Sequence, residues 1–107
     1  MRLMLTAVAT ALGLGLTAPT FAQGDAAAGR DKAFTCMGCH GAPGMRNAYP
    51  GYQVPKIGGQ HATYIVEALK GYKSGARSHP TMQSHAIPMS EQDMADIAAY
   101  FASLTAD

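Results

Sequence analysis

The chain reads as a small all-α domain of about three main helices. Two stretches repeat apolar residues at helical spacing: Ile65, Ala68, Leu69 and Tyr72, then Met94, Ile97, Ala98, Phe101 and Leu104. Strand-like alternation is nearly absent. A third observation is the run Cys36-Met37-Gly38-Cys39-His40, which holds both cysteines of the sequence. A domain this short buries little apolar surface and needs a staple, and this run is placed to supply one.

Taken in order, the elements begin with an export segment. Met1-Arg2 is a short positive start, Leu3 to Ala18 carries no charge, Pro19 breaks the run, and Thr20-Phe21-Ala22 ends on a small residue. Residues 1–22 read as a secretory signal peptide and 23–107 as the mature domain. The apolar run falls short of the roughly 20 residues of a spanning helix, so cleavage is expected rather than anchoring. The first helix starts near Asp25, a suitable N-cap, and runs into the cysteine motif. A loop rich in Gly and Pro follows, from Gly41 to Gly59, long enough to suggest a functional use. The second helix covers Ala62 to Ser74, with Gly75 as its stop. Ala76 to Met89 is expected as a second long loop. The third helix opens on Ser90-Glu91-Gln92-Asp93, close to a capping box, and ends near Leu104.

The motif C-x-x-C-H is the attachment signature of c-type haem. Cys36 and Cys39 would each form a thioether to a vinyl group, with His40 under the iron. Rival readings fit less well. A Cys36–Cys39 disulfide closes a tiny loop. A thioredoxin-like pair needs a βαβ setting. A structural zinc needs four ligands, and no second pair is present. One motif and no internal repeat predict one haem per chain.

The sixth iron position has several candidates. Met45 is too close in sequence to His40 to reach the far face. Met94 lies on the apolar stripe of the third helix. Met89 stands at the position before the Ser90 cap, where an apolar residue packs back on its own helix as a staple. Met82, expected in an irregular loop after Pro80, is free to turn its thioether inward. His79 and His85 remain alternatives that would give a bis-histidine iron.

Charge is balanced. Without Arg2, the count of Lys plus Arg falls from 8 to 7, against 7 acids. That excludes nucleic acid as an expected partner. Arg46, Lys56, Lys70, Lys73 and Arg77 lie in the middle of the chain, and Glu91, Asp93, Asp96 and Asp107 near its end. The plain reading is two solvated faces; the sharper one is a dipole that orients the molecule toward a partner.

From Asp25 onward the chain resembles the bacterial class I cytochromes c, and most of all one half of the tandem dihaem members. The resemblance runs through Cys36 to His40, Pro55-Lys56-Ile57-Gly58-Gly59-Gln60-His61, Met82, Met89-Ser90-Glu91-Gln92-Asp93 and Ala98-Ala99-Tyr100-Phe101. Met89 stands where the family usually has Leu. The resemblance implies a class I cytochrome c fold around one covalent haem c, with His40 and Met82 as axial ligands. It implies that the Pro55 carbonyl accepts from His40 Nδ1, that Ile57 packs on the haem, and that Gly29 lets the first helix approach the third near Ile97 and Tyr100. Arg77 becomes a candidate propionate partner, with Tyr64 and Tyr72 lining the pocket. The function implied is a periplasmic one-electron carrier rather than an enzyme. It would meet redox partners transiently and touch the membrane only through membrane-bound ones. It would act as a monomer or as a small subunit of a redox complex. The alternatives are a haem subunit of a sulfide- or thiosulfate-oxidising complex, or a gas-binding or peroxidase protein with an open iron.

Overall fold

A computed structural model of the chain describes residues 23–41 and 54–105, together with Gly13 and Gly15. The expected signal peptide, Met45 and Arg46 lie outside the described residues. Within them the fold is five helices and no strand: α1 (Ala26–Lys32), α2 (Phe34–His40), α3 (Ala62–Ser74), α4 (Pro80–Ala86) and α5 (Glu91–Ser103). No described helix is long and apolar enough to cross a membrane.

Two long helices match the sequence reading closely. Helix α3 spans the expected residues and ends on Gly75, whose φ of 84° is left-handed, a conformation that a Cβ penalises. Helix α5 opens with a full capping box. The Ser90 hydroxyl accepts from the Asp93 N–H at 3.0 Å, and the Ser90 N–H donates to the Asp93 carboxylate at 3.0 Å. Met89 is half-buried and packs against the core cluster that includes Met94, as a staple should.

Two expectations are corrected. The first helix is not continuous into the motif. It breaks at Ala33, whose ψ of 1° leaves the helical range and whose side chain is fully buried. The segment after Ala76 is not all loop, and Met82 sits on helix α4. Pro80 occupies the first turn of that helix, where its missing N–H costs nothing, and His79 caps it.

The core forms where α1 and α3 pack on α5. Phe101 and Met94 are its largest fully buried side chains, each contributing about 1.5–3 kcal/mol of apolar burial. Gly29 is buried at the α1–α5 crossing. A Cβ there would stand 1.8 Å from the Asp96 carbonyl oxygen and 3.0 Å from Tyr100 Cβ, so only glycine allows this approach.

The acidic residues are not all solvated. Asp96 is 3% exposed. Its carboxylate accepts from the Asp25 backbone N–H at 2.8 Å, the Lys32 ammonium at 2.6 Å and the Gln92 amide at 2.8 Å. Those donors, the backbone N–H foremost, hold the Asp96 carboxyl down to about 2. Lys32 also reaches Asp93 at 2.9 Å. The two carboxylates, Asp96 first, raise the Lys32 pKa. Both ends of α1 are thereby tied to α5.

Candidate haem site

Helix α2 carries Cys36, Cys39 and His40 at i, i+3 and i+4, which places them on one helix face. The two cysteines are not joined in a disulfide. Burial pushes the Cys36 thiol up, against a smaller opposing hydrogen bond with Thr35. His40 Nδ1–H donates to the Pro55 carbonyl at 2.7 Å. That bond fixes the ring and leaves Nε2 as the nitrogen available to a metal.

The Pro55 carbonyl is itself held in place. Downstream of it, the Gln60 N–H donates to the Ile57 carbonyl at 3.1 Å, and the Gly59 N–H donates to the Phe101 carbonyl at 2.8 Å. The strap from Val54 to Gln60 thus runs between the histidine and the end of α5.

All three motif side chains that carry chemistry open on a mostly apolar cavity of about 260 Å³. Ile57, Ile65, Ala68 and Leu69 contribute to its apolar surface, and Met82, His79 and His85 line it from the α4 side. Helices α2 and α4 both line the cavity and do not contact each other. The cavity therefore occupies the gap between them. Met82 is half-buried and packs against the core. Tyr64 and Ile57, expected at the pocket, are both there.

Arg77 stands at the same cavity. Its guanidinium lies 4.8 Å over the Tyr72 ring, a cation–π distance. The side chain crosses Gly71, where a Cβ would meet Arg77 Cγ at 2.9 Å. The Tyr64 hydroxyl beside it raises the arginine pKa, with Tyr72 adding to the effect. Lys56 also lines the cavity, and no carboxylate does among the described residues. Such an edge suits an anionic group.

His79 and His85 are not equivalent. His79 Nδ1 accepts from the Met82 N–H at 3.4 Å, and its ring meets Tyr72 edge-on at 6.5 Å. While that bond is kept, the neutral ring carries its proton on Nε2, so metal binding there would cost the cap. His85 is exposed, and its ring has no hydrogen-bond or ion-pair partner among the described residues.

Several cavity residues were given no pocket role from sequence, among them Thr35, Val54, Lys56, Gln60 and Thr81. Lys56 and Gln60 sit in the strap and signalled themselves only through their neighbours. Met89 turns out to line the cavity as well as to staple α5, and the Lys73 ammonium donates to its carbonyl.

The donor set fits an iron porphyrin. Two thiols and an imidazole share one helix face, a thioether lies on the other side of the gap, and the surface between is apolar.

Comparisons with known proteins point the same way. The cytochrome c family model matches residues 26–105. The chain is 45% identical to cytochrome c4 of Pseudomonas aeruginosa, over 90% of this chain and 46% of that protein. It is 46% identical to cytochrome c-554(548) of Halomonas halodenitrificans, over 75% of this chain and 96% of that protein. A thiosulfate dehydrogenase electron acceptor of Thiomonas intermedia is 36% identical over 73% of this chain and 35% of its own length. Among solved structures, reduced recombinant cytochrome c4 from Pseudomonas stutzeri superposes with a TM-score of 0.61 and 27% identity, covering 80% of this chain and 53% of that one. The chain thus spans about half of the cytochrome c4 relatives it matches.

Proposed function

The chain belongs to the cytochrome c family, whose prosthetic group is a covalent haem c, and from that premise we propose that it is an exported one-electron carrier, not an enzyme, with His40 and Met82 as axial ligands. The bound haem supplies the one-electron ferric/ferrous couple. Cys36 and Cys39 anchor it from α2. His40, oriented by Pro55, offers Nε2 from the same helix. The observation that carries the reading is that His40 and Met82 line one apolar cavity from two helices that do not touch.

The cavity walls would do three things. The Met82 thioether and the dry pocket favour ferrous iron and so raise the potential. His40 and Met82, by holding the iron from both sides of the cavity, would keep geometry change small on electron transfer. Arg77, with Tyr64 and Tyr72, offers positive charge and hydroxyls to the propionates, and Ile57 packs on the ring. Lys56 and Arg77 leave the cavity side basic, which suits a brief encounter with an acidic redox partner. Transfer rates should then fall as salt rises.

Export is part of the same reading. Residues 1–22 act as a cleaved signal peptide that delivers the domain to the periplasm. The mass of the mature protein should correspond to a chain beginning at Gln23 plus one haem.

The visible and near-infrared spectrum of the oxidised protein tests the ligation. A methionine-to-ferric charge-transfer band with a low-spin spectrum is expected. A high-spin spectrum with rapid carbon monoxide binding after reduction would overturn it in favour of an open iron.

A second reading has its own support. The similarity to a thiosulfate dehydrogenase electron acceptor favours a haem subunit that takes electrons within a larger sulfur-oxidising assembly. Gel filtration of the native protein separates the two, since a free carrier elutes as a small monomer.

A further inference from the structure

We propose that His85 is a standby axial ligand, carried on the same helix as Met82 and able to close the iron when the methionine is lost. The proposal rests on the axial role given to Met82 above.

Met82 and His85 both line the cavity from α4. Three residues apart on an α-helix, they are separated by about 4.5 Å along the axis and about 60° around it. They therefore share a face, one turn apart. Imidazole is among the commonest metal ligands in proteins. The His85 ring is exposed and has no hydrogen-bond or ion-pair partner among the described residues, so bringing it to the iron breaks no such contact. His79 is the other histidine on this wall, and it is committed. Its Nδ1 caps α4 at the Met82 N–H, which leaves its other ring nitrogen protonated.

Helix α4 is also the element best able to make the shift. Among the described helices it packs on α3 alone. Pro80, Thr81, Ser84 and His85 are exposed, and Ala86 is its one fully buried side chain. A slide of about one turn is needed to bring His85 to where Met82 stands. That motion sets the burial of Ala86, the Met89 N–H bond to the Ala86 carbonyl at 3.0 Å and the His79–Tyr72 ring contact against an iron–nitrogen bond. The potential should fall with the exchange, because the thioether is what raises it.

The test uses the haem-loaded, full-length protein and reads spin state. Oxidised wild type should show the methionine charge-transfer band. Met82→Ala should lose the band yet remain low-spin, with the paramagnetic resonance of two imidazole ligands and a lowered potential. Met82→Ala/His85→Ala should turn high-spin and bind carbon monoxide, once reduced, at least tenfold faster than the single variant. His85→Ala alone should keep the methionine charge-transfer band. A high-spin Met82→Ala protein, or a double variant that stays low-spin, overturns the standby role and leaves Met82 in place. Absence of the band from wild type overturns the axial role of Met82, and the standby role with it. Met82→Leu, which keeps the apolar volume, replaces the alanine variant if circular dichroism shows lost helix.

Discussion

Where α1 crosses α5, backbone meets backbone through Gly29, and a buried carboxylate gathers donors from Asp25, Lys32 and Gln92. Helix α4, by contrast, rests on α3 alone, exposes four of its seven residues, and turns Met82 toward a cavity. The first region satisfies its own polar groups and fills its own space. The second is a wall facing a mostly apolar cavity, which the haem would fill in the proposed reading. A small domain can separate the two tasks in this way. One pair of helices sets the frame, and the facing wall would gain its remaining apolar contacts from the prosthetic group.

The comparison breaks most visibly if haem removal affects both regions equally. In protein stripped of haem, backbone amides of α4 should exchange with solvent at near-unprotected rates while those of α5 keep most of their protection. Hydrogen exchange read by mass spectrometry checks this, and uniform loss of protection would mean the α1–α5 frame does not stand alone. Next in size is Gly29→Ala. A methyl 1.8 Å from a backbone oxygen forces α1 away from α5, and a loss of about 3 kcal/mol in urea unfolding is expected. A loss below ~1 kcal/mol would show the crossing to be pliable.

Asp96 gives the frame a pH signature. Its folded pKa of about 2 lies below the ordinary 3.8, so the stability it contributes is complete above about pH 4 and is lost as pH falls toward 2. Asp93, lowered by the Ser90 N–H and by Lys32, acts in the same direction. Asp96→Asn should be less stable at neutral pH and should show a shallower acid limb. Thermal melts between pH 2 and 6 decide it, and an unchanged limb would remove Asp96 from the frame. The smallest effect is Ser90→Ala, which removes half of the capping box. A cost of about 1 kcal/mol in urea unfolding is expected.

How much of this was legible in the sequence follows the range of the interactions involved. The α3 and α5 helices were readable because their apolar stripes, the Gly75 stop and the Ser90–Asp93 box are all local. The attachment motif was readable because five adjacent residues carry it. Helix α4 was missed because Pro80 reads as a breaker when taken alone, and it becomes a helix-starting residue only with the extended His79 before it. The break at Ala33 had no local sign, since alanine favours helix. Asp96 read as a solvated acid because the donors that bury it come mainly from residues 64 and 71 positions away. The placement of Pro55 next to His40 was available only through the family resemblance, as the two are 15 residues apart across a glycine- and proline-rich loop.

The strap between Val54 and Gln60 also works as a mechanical linkage. One end holds the imidazole of His40 and the other is fastened to the last turn of α5 through Gly59 and Phe101. A change at the last turn of α5 would thus reach the imidazole plane of His40 through two hydrogen bonds and five residues of strap.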